Sequence, residues 1–155
     1  MRIAKTKIAL ALGVLALTAQ VQADQLADIK AAGVVKVATF DANPPFGSVD
    51  PKTHQLVGYD VDFAQALAKS LGVKLELVAT NPANRIPLLQ SGKADLIVAD
   101  ITITPERAQV IDFSTPYFVT GQQFLVPVKS ADRLDSYSKA RIGAVKGTTG
   151  EQALH

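Results

Sequence analysis

The 155-residue chain contains no cysteine. That absence excludes a disulfide framework, a zinc finger, a cysteine nucleophile and a lipid-modified N-terminal cysteine. Histidine is nearly missing too: His54 falls in an expected turn and His155 ends the chain. Neither stands at a recognisable spacing from an acid and a nucleophile, so a serine-type triad has no footing. No His, Asp and Glu cluster has metal-site spacing. No apolar run approaches the roughly 20 residues that a membrane helix needs. Acidic residues are missing from the first 23 positions, which hold Arg2, Lys5 and Lys7. Setting those three aside leaves 13 basic residues against 14 acidic ones, so the formal charge falls from +2 to −1. The basic character belongs to the leader, and a nucleic-acid-binding reading loses its electrostatic basis. Hydrophobic residues make up 48% and charged residues 19%, which excludes intrinsic disorder and leaves enough apolar material for a core.

What is present starts with a three-part leader. Residues 1–7 are basic, 8–17 are apolar, and 18–23 are small and polar. Val21 and Ala23 are the small residues that a signal peptidase needs at −3 and −1. Cleavage after Ala23 is expected, leaving an exported, soluble chain that starts at Asp24.

Beyond the leader, residues 25–32, 60–71 and 82–91 read as helices stopped by Gly33, Gly72 and Gly92. Residues 34–39, 73–78, 95–99 and 122–128 read as strands. A further strand–turn–helix is expected over 142–154, and a short helix opens at Thr104. Residues 40–47 read as loop because of Pro44, Pro45 and Gly47. Residues 50–54 read as a turn between two short strands. Asp60 and Asp62 diverge at i and i+2, so helix-dipole complementarity explains them better than an acid pair. Strands alternating with helices imply an α/β protein with a mostly parallel sheet. The single βα unit after residue 128 cannot cover its own apolar face, so the chain reads as the N-terminal part of a longer protein.

Four patterns carry candidate chemistry. In Thr102-Ile103-Thr104-Pro105-Glu106-Arg107, Thr104 fits an N-cap and Pro105 the first helical position. Arg107 opposes the helix dipole there by roughly 0.3–1 kcal/mol, a cost that makes sense if an anion docks on it. Solvation, or pairing with Glu106 or Asp112, is the competing reading. Lys146-Gly147-Thr148-Thr149-Gly150 lets backbone approach a ligand closely, or is an ordinary tight turn; it lacks Walker spacing. Asn84-Arg85 puts a second cation at a helix start. The loop from Phe40 to Phe46 follows a strand, where α/β ligands bind, although Phe46 also suits core packing and Asp41 suits solvent.

These residues resemble the periplasmic solute-binding proteins of polar amino-acid ABC importers. The resemblance starts at Gly58-Tyr59-Asp60-Val61-Asp62-Phe63 and runs through Ser91-Gly92-Lys93-Ala94-Asp95-Leu96. It continues through residues 102–107 and Ile111-Asp112-Phe113-Ser114-Thr115-Pro116-Tyr117 to residues 146–150. It implies the type II two-lobe α/β fold: a first lobe over 24–121, a hinge strand at 122–128, and the start of a second lobe over 129–155. It implies that Arg107 and Thr102 hold a ligand's α-carboxylate and that the backbone at Asp100 meets its α-amino group. Thr149 and Gly150 would close over the carboxylate with Lys146 nearby. Arg85 resembles residues that meet a side-chain carboxylate in relatives taking acidic amino acids or cystine. Asp41 and Phe46 complete the expected site. The implied role is capture of a polar amino acid by hinge closure for an inner-membrane permease. The protein would be periplasmic and monomeric, with no cofactor, metal, catalytic residue or nucleic-acid partner. A cyclohexadienyl dehydratase-like enzyme and a ligand-binding sensor domain are the alternatives on this fold.

Overall fold

A computed structural model of the chain describes residues 24–130 and 141–155; the leader expected at 1–23 lies outside them. Helix α1 (Gln25–Ala32) starts where the Asp24 carboxylate accepts the N–H groups of Leu26 and Ala27. It ends at Gly33, whose φ of 68° is left-handed backbone that glycine adopts without a Cβ penalty. Strand β1 (Val34–Phe40) follows, rich in valine and almost wholly buried. Three short strands come next: β2 (Ala42–Asn43), β3 (Gly47–Val49) and β4 (Leu56–Val57). They form a small antiparallel sheet of order β2-β3-β4. Helix α2 (Tyr59–Leu71) carries Asp60 and Asp62 in its first turn, Lys69 in its last, and ends at left-handed Gly72. Strand β5 (Lys74–Thr80), helix α3 (Arg85–Gln90), strand β6 (Leu96–Ile97) and helix α4 (Pro105–Ala108) complete the main body. Helix α5 (Thr149–Gln152) lies near the end.

The main sheet is parallel, of order β5-β1-β6. Strand β1 pairs with β5 along its full length, from Val34 opposite Lys74 to Phe40 opposite Thr80. It pairs with β6 only at Val37 and Ala38. Val35 and Val37 have no exposed surface and pack with Ile29, Val98, and Ala64 and Ala68 of α2. Each fully buried valine of this kind contributes about 1.5–3 kcal/mol of transfer free energy. A central parallel strand must be apolar on both faces, which is why β1 shows no alternation. Its carboxyl end and that of β6 come out at the same sheet edge. That edge is where open α/β sheets bind ligands.

Several local expectations change. The proline-rich stretch is not all loop: Ala42 and Asn43 pair with Ser48 and Gly47, and the prolines occupy the turn between them. The expected helix at 82–91 starts only at Arg85, because Asn81 holds residues 82–84 in a turn. Its side-chain oxygen accepts the N–H groups of Ala83 and Asn84, both at 3.1 Å. The strand at 95–99 shrinks to Leu96–Ile97. The strand expected at 122–128 does not form, and Val128–Ser130 is a 3-10 turn. A strand exists only through a ladder, and no described strand lies alongside, so Phe124, Leu125 and Val128 stay exposed. The strand expected at the start of 142–154 is absent for the same reason, although its helix is present as α5.

Candidate ligand-binding site

The site forms where the chain leaves β6. Val98 and Ala99 are buried, and Asp100 turns the chain with φ 44°, a left-handed conformation rare for a residue with a side chain. Arg85, the first residue of α3, reaches under this turn and is 3% exposed. Its Nη1 donates to the carbonyls of Ala99 at 2.7 Å and Asp100 at 2.8 Å. Its Nη2 donates to the Gly147 carbonyl at 3.4 Å. The guanidinium lies 5.5 Å from the Phe40 ring centroid, within cation–π range. Burial, and then repulsion from Arg107, lower its pKa to about 10, so it remains a cation at neutral pH.

Arg107 comes from α4. Thr104 caps that helix by accepting the Arg107 N–H at 3.3 Å, and Pro105 occupies the first turn. The side chain is 6% exposed. Its Nη1 donates to the Thr102 carbonyl at 2.8 Å and its Nη2 to the Gly147 carbonyl at 3.0 Å. Burial lowers its pKa, and the charge of neighbouring Glu106 opposes that shift. The reading of Arg107 as a solvated side chain therefore fails. The reading as a partner of Glu106 or Asp112 fails as well, because neither is hydrogen-bonded to it. Two buried guanidiniums converge on a single oxygen. Among the described residues, every acceptor they have is a neutral carbonyl. Buried cations without a carboxylate partner create a demand for an anion.

The Gly147 oxygen reaches this position because its loop docks tightly. Gly147 has φ 81°, and a Cβ there would lie 2.7 Å from the Pro82 carbonyl oxygen and 2.8 Å from Ala83 Cα. Its N–H donates to Glu151 Oε2 at 2.7 Å, while Thr148 caps α5 through the Glu151 N–H. Thr149 accepts from Gln122 Nε2, and Gly150 follows within the first turn of α5; Lys146 is exposed.

Not every expected residue joins the guanidinium pair. Thr102 contributes its carbonyl, and its side chain stays exposed. Asp41 lines a separate cavity of about 370 Å³ with Asn81, Asn84 and Lys93. Phe46 and Asp100 border a larger cavity of about 660 Å³ beside β6, which touches neither Arg85 nor Arg107. Phe46 also packs edge-on against Phe118 at 5.0 Å and Tyr59 at 6.3 Å.

One buried pair escapes sequence reasoning. Asp60 has no exposed surface, unlike Asp62, and its Oδ1 accepts the Tyr117 hydroxyl at 3.1 Å. Its Oδ2 has no partner among the described residues. Burial raises the Asp60 pKa, and the Tyr117 hydrogen bond partly offsets this. Burial and the Asp60 charge raise the Tyr117 pKa in turn. Helix-dipole complementarity accounts for Asp62, whereas Asp60 anchors the segment that carries Tyr117 against α2. The two residues are 57 positions apart, and no local pattern links them.

The model of family 3 of the bacterial extracellular solute-binding proteins matches residues 35–147. The Bacillus subtilis ABC transporter glutamine-binding protein GlnH is 39% identical over 116 residues, covering 70% of this chain and 42% of the relative. The chain thus spans less than half the length of that relative. Among solved structures, the ancestral amino acid-binding protein AncCDT-1, a precursor of cyclohexadienyl dehydratase, is 43% identical with a TM-score of 0.73. The match covers 83% of this chain and 58% of that one. The arginine-bound form of domain 1 of TmArgBP is 42% identical with a TM-score of 0.56, covering 59% of this chain and 71% of that domain.

Proposed function

The chain belongs to family 3 of the bacterial extracellular solute-binding proteins, with their type II α/β fold, and from that premise we propose that it is the N-terminal part of the amino-acid-capturing component of an ABC importer. The observation that carries the reading is the convergence of Arg85 and Arg107 on one oxygen at the carboxyl edge of the sheet. An oxygen position held by two buried guanidiniums suits a carboxylate, whose full negative charge and two oxygens match the guanidinium fork as a neutral carbonyl cannot.

In this reading Arg107 holds the ligand's α-carboxylate, with its own orientation fixed by the Thr102 carbonyl and the Thr104 cap. The Asp100 carbonyl, which accepts one bond from Arg85 and has a second lone pair, meets the α-amino group, and the exposed Asp100 carboxylate adds negative charge beside it. Arg85 adds positive charge that favours a ligand with a second acidic group, such as an acidic amino acid. Segment 122–128 is the hinge, and Thr149 and Gly150 close over the carboxylate from the second lobe, with Lys146 at the margin. Closure expels water and strengthens each charged contact. The leader directs the chain to the periplasm, where it acts as a monomer and hands its ligand to an inner-membrane permease. One lobe is enough to hold a ligand in TmArgBP, whose domain 1 was solved bound to arginine. That precedent supports binding by the first lobe here.

The test is thermal unfolding of the chain against the twenty amino acids, cystine and ornithine. Ligand at a hundred times its dissociation constant adds roughly 2.7 kcal/mol, a shift of several degrees. A shift with one or a few amino acids, abolished in Arg107→Ala, supports the reading. No shift with any of them refutes the ligand class. The likeness to a dehydratase precursor favours one alternative, turnover of prephenate or arogenate. A binding role is the better reading, because curated relatives such as GlnH are named as binding proteins. Product formation from either compound would reverse that choice.

A further inference from the structure

We propose, resting on the reading above, that the Gly147 carbonyl is an internal surrogate for a ligand carboxylate oxygen. The Gly147 peptide is then a plug that an anionic ligand group must displace before Thr149 and Gly150 close over it. Three observations on the loop converge. Its carbonyl oxygen takes hydrogen bonds from both Arg107 Nη2 at 3.0 Å and Arg85 Nη2 at 3.4 Å. It is the one acceptor that the two guanidiniums share among the described residues. The loop is braced from behind: Glu151 Oε2 accepts the Gly147 N–H at 2.7 Å, which holds the Lys146–Gly147 peptide, and the Thr148 N–H, in the same peptide as the Gly147 carbonyl, donates to the Val145 carbonyl at 3.3 Å. The docking depends on a glycine, because φ is 81° and a Cβ would meet the Pro82 and Ala83 backbone at 2.7–2.8 Å.

The consequence runs against a simple clamp. A clamp residue adds to affinity, whereas a plug competes with the ligand for the same oxygen position. A neutral carbonyl screens two buried cations only in part, so a carboxylate displaces it. The cost of that displacement is subtracted from the affinity for any ligand. Arg85 also gains a role in the reception of the carboxylate, because both guanidiniums border the position to be filled.

The experiment compares wild type with Gly147→Ala in the full chain. Arginine modification by phenylglyoxal is followed at Arg85 and Arg107 by mass spectrometry, and titration calorimetry uses L-glutamine, L-arginine and L-glutamate. Left-handed backbone costs a residue with a Cβ enough to expect affinity about tenfold tighter in G147A, together with faster modification of both arginines. Glu151→Ala releases the Lys146–Gly147 peptide that adjoins the plugging carbonyl and should move both readouts in the same direction, which keeps the test open if G147A perturbs folding. Unchanged modification rates in both variants overturn the plug. So does weaker amino-acid binding in both, since that is the behaviour of a clamp. Faster modification with no amino acid bound by any form sustains the plug and refutes the amino-acid reading instead.

Discussion

Tyr117→Phe removes one oxygen and should expose the cost of the carboxylate beneath it. Asp60 has no exposed surface, its Oδ2 has no partner among the described residues, and Tyr117 supplies the hydroxyl that Oδ1 accepts. Without that donor an ionised Asp60 loses a charge-assisted bond worth about 1.5–3 kcal/mol. At about 4 °C per kcal/mol for a domain of this size, the melting temperature at pH 7 should fall by about 6–12 °C. The pH dependence gives the sharper test. Burial raises the Asp60 pKa above 3.8 in the folded protein, and the Tyr117 bond opposes that rise, so the variant's Asp60 is raised further. A carboxyl raised in the folded state destabilises when ionised. Its penalty is absent below the ordinary Asp range and grows as pH climbs through the raised folded value. The difference between Y117F and wild type should therefore be largest near neutral pH. It should shrink on acidification, as Asp60 takes up its proton in both and only a neutral hydrogen bond of about 1 kcal/mol is lost. Thermal unfolding of both proteins from pH 4 to pH 8 reads this directly. A deficit that stays constant, or that widens on acidification, would refute the account of Asp60 as a desolvated carboxylate. In an Asp60→Asn background the same substitution should cost the small neutral amount at every pH.

Gly58→Ala and Gly72→Ala separate steric conflict from backbone preference. Gly58 has φ 133° and a Cβ there meets the Pro45 carbonyl oxygen at 2.8 Å, whereas nothing lies within 4 Å of one at Gly72. Urea unfolding should show a loss of about 2–4 kcal/mol for the first and about 1 kcal/mol for the second. Thr104→Ala removes the cap on the Arg107 N–H and should cost about 1 kcal/mol. Ligand affinity should fall with it, because the same cap sets the entry of Arg107; calorimetry that finds affinity unchanged would uncouple the two. Expression with export should yield a product whose N-terminal residue, read by mass spectrometry, is Asp24.

The parts of this molecule that were legible in advance are those whose causes are local. Asp24 and Gly33 delimit α1, Gly72 ends α2, and Thr104-Pro105 opens α4, each through a group within four residues of the helix end. Arg107 stood out because a cation in a first helical turn is electrostatically out of place, although α4 proves only four residues long and so puts Arg107 in its last turn as well. What stayed hidden depends on register and burial between distant segments. Arg85 gets its meaning from carbonyls 14 and 15 residues away, and Asp60 from a hydroxyl 57 residues away. Segment 122–128 has strand-like composition but no ladder among the described residues, and composition alone cannot supply one. Gly147 combines both cases. A glycine between a strand-like run and a helix is an unremarkable turn by sequence. Only the closeness of the Pro82 and Ala83 backbone, and two guanidiniums on its carbonyl, make it the position on which the site turns. The residues whose sequence reading was too modest, Arg85 and Asp60, are, with Thr39, the ones left with an unpartnered buried side-chain atom among the described residues. Buried polar atoms held at a cost are what local sequence patterns do not reveal, because their partners are set by distant segments.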